Sequence, residues 1–212
     1  KQRVEVNYFA AALLIPETSA VQLLKRAKEG KYIAIEDLRD AFAVSYETAA
    51  HRFTNLATEH LGIQVDFVKV HESGTIYKAY ENDGLAFPAD PLGSIEGQLA
   101  CRHSGARRVF SQTSTGMSYW QYLDTPKGTY WSTTQSEDTS AGPFSVSVGV
   151  RFADSKWFRG RETTERTKST CPDPHCCNEA PLDLSERWRD MVWPSARAHS
   201  HLLAALPPGT FP

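Results

Sequence analysis

Cysteine is scarce in this chain: four residues in 212. So few cannot build the staple framework of a small secreted domain, which favours a cytoplasmic protein. No two of them have the CxxC spacing of a zinc knuckle. HExxH is also missing, so no pair of imidazoles at helical spacing can hold a peptidase zinc. No Ser-His-Asp arrangement, acid–base carboxylate pair or Gly-rich phosphate loop stands out, and Gly93-x-x-x-Gly97 is too weak a signal to count. These gaps argue against an enzyme. The longest apolar run, Phe9 to Ile15, is far too short to span a membrane. No signal-peptide pattern opens the chain. Charge of one sign is lacking too: the net charge is −2, so no global field draws in nucleic acid.

What is present is globular. Apolar residues make up 41% and charged residues 23%, and the length suits one or two domains with a sizeable core. The chain opens inside a helix-like pattern at Lys1-Gln2-Arg3-Val4-Glu5, and so reads as a fragment truncated at its N-terminus. Residues 3 to 28 are expected to be helical, with Val4, Tyr8, Ala11, Ala12 and Ile15 at helical spacing and Pro16 as a break. Thr18-Ser19 is expected to cap a second helix that stops near Gly30. Two further helices are expected over 35 to 61, one lined by Ile35, Leu38 and Phe42, the other by Ala49, Phe53 and Leu56. Ser45 caps the latter, with Thr48 at the third helical position.

At residue 62 period 3.6 gives way to period 2. Strands are expected from Ile63 to Val70 and Thr75 to Tyr80, with a turn at Ser73-Gly74. A short helix is expected from Cys101 to Phe110, a hairpin from 117–123 and 129–134, and a strand over 144 to 152, where Phe144, Val146, Val148 and Val150 alternate with small residues. Further helices are expected at 185 to 193 and 198 to 206. The fold class is α/β (α+β): a helical part, residues 1 to 62, followed by a sheet domain, residues 63 to 212. No internal repeat is visible.

Cys171, Cys176 and Cys177 crowd into Cys171-Pro172-Asp173-Pro174-His175-Cys176-Cys177, and Cys101 lies seventy residues upstream. Vicinal thiols point apart, which strains a single-ion chelate but suits a polynuclear cluster in which each thiolate binds its own iron. Pro172 and Pro174 stiffen the loop and lower the cost of ordering it. The four cysteines match the four ligands of a [4Fe–4S] cluster. Zinc, one or two disulfides, or plain thiols stay open as alternatives. Trp157, Phe158, Trp188 and Trp193 flank the loop, and such rings either shield a cluster or simply fill a core.

Two passages resemble known families. Glu5-Val6-Asn7-Tyr8-Phe9-Ala10-Ala11-Ala12-Leu13-Leu14-Ile15-Pro16 resembles the helix after HExxH in the ImmA/IrrE metallopeptidase-like proteins. Glu5 aligns with the third zinc-ligand position there, but its partners are missing. Ala43 to Leu56 resembles the helix-turn-helix-like segment behind it. Gly116-Met117-Ser118-Tyr119-Trp120-Gln121-Tyr122, Trp157-Phe158-Arg159-Gly160-Arg161 and the Cys171 to Cys177 loop resemble the short-chain fatty acyl regulators of actinobacteria. That resemblance implies a GAF-like antiparallel sheet domain behind the helical part. It also implies an acyl-CoA ligand, a [4Fe–4S] cluster, and promoter DNA read by a Cro-type domain upstream of Lys1.

Coenzyme A calls for cations at its phosphates and an aromatic face at its adenine. The candidates are Arg26, Arg52, Arg102, Arg107 and Arg108, with Tyr46, Phe53, Tyr119 and Tyr122. Arg52 is the first choice for a phosphate contact, near an exposed Tyr46. Each residue singly reads as well as a surface cation or a core ring. Lys25, Arg26, Lys28 and Lys31 with His51 and Arg52 could touch DNA, although such helix pairs are at least as often packing units. The function expected is a ligand-sensing effector module of a transcriptional regulator of short-chain fatty acid catabolism. A redox or iron sensor, and a degenerate peptidase scaffold serving as an interaction platform, are the alternatives. The sequence leaves open whether the module is a homo-oligomer.

Overall fold

Prolines and left-handed residues cut the first sixty residues into helices. The computed structural model describes residues 9–81, 96–97, 99–125 and 128–168, all within the unit Lys1–Glu179. Residues 9–14 are helical (α1) and stop before Pro16. α2 (Glu17–Gly30) follows with Pro16 as its extended N-cap and Glu17 in its first turn, where a carboxylate suits the positive helix end. The expected Thr18-Ser19 cap is thus not used, because Pro16 already holds the extended conformation a cap needs. Lys31 (φ 59°) ends α2, and Ala43 (φ 51°) ends α3 (Ile35–Phe42), both in the left-handed region. α4 (Tyr46–Leu56) is capped as expected: Ser45 Oγ accepts from the Thr48 N–H at 3.1 Å. One π-helical turn, Ala57–Leu61, leads to Gly62.

Beyond Gly62 the chain becomes a sheet. β1 (Val65–His71), β2 (Ile76–Glu81), β3 (Tyr119–Thr125), β4 (Gly128–Thr139), β5 (Gly142–Arg151) and β6 (Glu165–Lys168) form six strands in the order β2-β1-β5-β4-β3-β6. Four neighbouring pairs are antiparallel, and β6 runs parallel to β3. The expectation of an antiparallel sheet is corrected at that edge. After β5 the chain makes a 3₁₀ turn, Phe152–Trp157, and crosses to the far side of the sheet, which is what a parallel pairing requires. The strand expected to end at Thr134 runs on to Thr139 because Gln135 to Thr139 continue the ladder with β5.

Alternation along the strands makes two faces. Val65, Phe67, Trp131, Val146, Val148 and Val150 join Leu24, Ile35, Leu38, Ala49, Phe53 and Leu56 in one buried core. The helices α2 to α4 therefore cover that face. The other face carries Val68, Val70, Ile76, Ser145, Ser147 and Gly149, and α5 (Gly105–Gln112) lies on it. Ser145 Oγ donates to the Ala106 carbonyl at 2.6 Å, and Val70, Ile76, Ala100 and Ala106 form a second, smaller core. α5 starts four residues later than expected. The Ser104 N–H and Oγ both bond the Cys101 carbonyl, at 2.9 and 2.6 Å, so Cys101 to Ser104 is a turn rather than a helix. Among the described residues, no helix is long and apolar enough to cross a membrane.

The Trp157 to Arg161 stretch ties the helices to the sheet. The Ile33 N–H donates to the Trp157 carbonyl and the Arg159 N–H to the Ile33 carbonyl, each at 2.9 Å. Phe158 is buried edge-on to Phe53, with centroids 5.9 Å apart, and lies 4.8 Å from the Trp131 ring. Arg159 pairs with Asp37 at 3.0 Å. Gly160 turns the chain at φ 85°, and a Cβ there would meet the Trp120 ring at 2.6 Å. Gly160→Ala is expected to destabilise the protein by about 1–3 kcal/mol, from strain in the left-handed region alone, with the clash in addition. Urea unfolding would measure this.

His51 sits between α4 and the sheet, 4.3 Å from the Phe67 ring and 4.7 Å from the Tyr80 ring. Its Nε2 lies 3.0 Å from both Lys78 Nζ and the Tyr80 hydroxyl. Burial, and then the charges of Lys78 and Lys69, push its pKa down to about 3 from the ordinary 6.5. Between those values the unfolded chain binds the proton and the folded chain does not, so stability falls as pH drops through that window. Melting temperatures of wild type and His51→Gln from pH 7 to 4.5 would check this. The decline should be shallower in the variant, and equal slopes would remove His51 as a cause.

Candidate functional site

A cavity of about 100 Å³ lies between α5 and the face of the sheet away from α2 to α4. Val68, Ile76, Ala100, Ala106, Leu123 and Tyr130 make its surface almost wholly apolar. Its polar lining comes from Asp66, Gln121, Ser104, Ser132 and Ser147, and Cys101 forms part of one wall. Among the described residues no lysine, arginine or histidine lines it. The helix can come this close to the sheet because residue 105 is glycine: a Cβ there would stand 3.1 Å from both Ser132 Oγ and Thr134 Oγ1. Asp66 is itself buried, at 7% exposure.

Gln121 organises this region. Its side chain is fully buried. Nε2 donates to the His103 carbonyl at 2.7 Å and to Thr167 Oγ1 at 3.1 Å. The carbonyl can only accept, so these bonds fix which end of the amide is nitrogen. Oε1 then points the other way and finds no hydrogen-bond partner. One side chain thus holds together the turn that carries Cys101 and the strand β6, whose last residue is three positions before Cys171. Cys101 is half-buried and forms part of the apolar wall of the cavity. Cys171, Cys176 and Cys177 lie outside the described residues, as do Glu5, Trp188 and Trp193.

The expected coenzyme A contacts fall into two groups. Tyr46, Arg52 and Phe53 belong to the helical layer. Tyr46 is buried rather than exposed, because the first turn of α4 packs its ring into the main core. Its hydroxyl is driven upward in pKa, chiefly by desolvation. Arg52 is also buried; its Nε donates to the Ile15 carbonyl at 3.1 Å, and its guanidinium lies 3.6 Å from Glu17. Phe53 is a core ring. Arg26 is exposed on α2 and reaches back to the Gln22 carbonyl at 3.4 Å.

Arg102, Arg107 and Arg108 belong instead to the turn and helix that roof the cavity. Arg102 is exposed. Arg107 Nη1 donates to the Ala100 carbonyl at 3.4 Å, and Arg108 Nη1 to Thr167 Oγ1 at 2.7 Å. Tyr119 is buried in β3, while Tyr122 bonds Ser155 Oγ at 3.2 Å on the opposite face. The helix-turn-helix-like segment is a packing unit here, since Tyr46, Ala49, Ala50, Arg52, Phe53, Thr54 and Leu56 of α4 are all buried. Glu17, Glu59 and His60 bring three possible metal-ligand atoms together at the surface, but Glu17 is already engaged by His60 and Arg52.

Asp66 and Gln121 were not among the expected site residues. The signal for Gln121 is an amide between Tyr119 and Leu123 at strand period, on the inward face of β3. Asp66 likewise stands between Val65 and Phe67 but on the opposite face of β1, beside Val68.

Comparison with known proteins agrees with the helical part. Residues 1–54 match the family model of the IrrE N-terminal-like domain. No curated protein matches the chain. Among solved structures the chain is similar to one described as a Mycobacterium tuberculosis transcriptional regulator, at 22% identity and a TM-score of 0.55. The match covers 81% of this chain and 52% of that one, so the chain spans about half the length of that structure. The likeness is one of fold.

Proposed function

We propose that this chain is the ligand-sensing module of a transcriptional regulator, that its ligand is a short-chain acyl-CoA, and that it acts in propionate or short-chain fatty acid catabolism. The cavity carries this reading. A void of about 100 Å³ is smaller than the roughly 150 Å³ engineered cavity that takes up benzene, so it suits a tail of three or four carbons. Its lining holds an acidic side chain and, among the described residues, no cation. A free carboxylate would enter unpaired beside Asp66, whereas a thioester brings the same carbons without charge. Arg102, Arg107 and Arg108 lie on the roof of the cavity, where the phosphates of a coenzyme A could be met outside it. The fold, resembling that of a transcriptional regulator, supports the regulatory role. The sheet covered by helices on both faces is consistent with a GAF-like domain, and promoter DNA would be read by a Cro-type domain beyond this chain. On the sequence features given above, we read the protein as a cytoplasmic effector module rather than an enzyme.

The same reading assigns a [4Fe–4S] cluster to Cys101, Cys171, Cys176 and Cys177. The supporting observation is the Gln121 clamp, which keeps the segments leading to Cys101 and Cys171 side by side. When bound, such a cluster cross-links its four thiolates, and closing a long loop is where a cross-link restrains the unfolded chain most. Ligand binding would act by favouring one of two conformations, as any effector must.

Calorimetry on anaerobically purified protein tests the ligand. Propionyl-CoA should bind, free coenzyme A should bind within about tenfold of it, since the tail adds only some 0.8 kcal/mol per buried CH₂, and propionate should give no heat. Tight propionate binding without a response to coenzyme A would overturn the reading. The same sample should contain about four irons per chain with matching sulfide, and Cys101→Ala should lose both iron and thermal stability. Stoichiometric zinc in place of iron would sink the cluster.

A further inference from the structure

Two acceptors, a buried amide oxygen and a carboxyl group, belong to residues that line the cavity. Gln121 Oε1 is buried, locked in orientation by the two bonds its nitrogen makes, and without a partner. The amide cannot flip to relieve this, because the flip would set an oxygen against the His103 carbonyl. The Asp66 carboxyl lines the same space. An unpaired buried acceptor is costly, and the cost is recovered when a donor arrives. A plain aliphatic tail brings no donor. It must leave Oε1 bare or share a small cavity with a water molecule.

We propose that the cavity selects a hydroxylated short acyl chain, with the tail hydroxyl donating to Gln121 Oε1. This rests on the acyl-CoA reading above and adds the chemistry of the tail. The apolar body of the tail packs on Val68, Ile76, Ala106 and Leu123. The hydroxyl meets Gln121 on the floor of the sheet, and the thioester leads out toward the arginines of α5. Because Nε2 of the same amide clamps the Cys101 turn to β6, the ligand's bond is made to the residue that holds those two segments together. Gln121 is therefore a specificity-determining residue as well as a structural one.

The test compares 3-hydroxybutyryl-CoA, in both enantiomers, with butyryl-CoA on the wild-type protein by calorimetry. One enantiomer should bind roughly ten- to a hundredfold tighter than butyryl-CoA, the range expected when a buried acceptor gains or lacks its donor. Butyryl-CoA binding as tightly as both enantiomers, or more tightly, would overturn the proposal while leaving the acyl-CoA reading intact. Failure of all three thioesters to bind would overturn both. In Gln121→Leu, judged folded by its circular dichroism, the preference should vanish, and its persistence would move the selectivity away from Gln121. The ligand comparison on the wild type decides the matter even where that variant does not fold.

Discussion

Two hydrogen bonds from one buried amide organise the cavity side of this molecule. Gln121 Nε2 donates to the carbonyl of His103 and to the hydroxyl of Thr167. Through the first it fixes the turn before α5, and through the second it fixes the edge strand β6. The roof of the cavity, the turn of Cys101 and the edge strand β6 are tied to one another by these two bonds. A buried amide is worth its desolvation only when its bonds are made. Here half of the group is satisfied by the protein, and the other half is left buried without a partner beside the cavity.

The opposite face of the sheet is built on a different principle. Helices α2 to α4 meet the sheet through apolar side chains, and Phe158 packs against both Phe53 and Trp131 as the fastener. Two of the charges there are handled by pairing and by neutrality. Lys69 meets Glu47 at 2.7 Å, and His51 is kept neutral by burial and by two nearby lysines. The two faces thus divide the work: one is closed and apolar, the other leaves a small space with polar groups facing into it.

Much of the helical part was legible in the sequence because its signals are local. Ser45 as a cap, Gly30 near a helix end, and the stripes Ile35–Leu38 and Ala49–Phe53–Leu56 are each decided within one or two turns. The clean alternation from Phe144 to Val150 announced β5 for the same reason. β6 and the second half of β4 were not legible, since Glu165-Arg166-Thr167-Lys168 and Gln135-Ser136-Glu137 carry no apolar period and become strands only by pairing with neighbours. The candidate site was the least legible part. Arginines and tyrosines attract notice as ligand contacts, yet Arg52 and Tyr46 went into the interior, while Asp66 and Gln121 stand in strands whose apolar neighbours mask them. What makes them a site is the arrival of α5 over the sheet, a contact between segments distant in sequence.

The shared core on the helical face has a consequence for inheritance. Gly62 is where one periodicity ends and another begins, and it looks like a natural seam for gene fusion. Yet the side chains on either side of it are halves of a single apolar interior, with Phe53 and Leu56 before it and Phe67, Trp131 and Phe158 after it. A recombination event at that seam would hand each daughter protein an open greasy wound. The helices and the sheet would therefore have to be inherited together, as one unit with one interior.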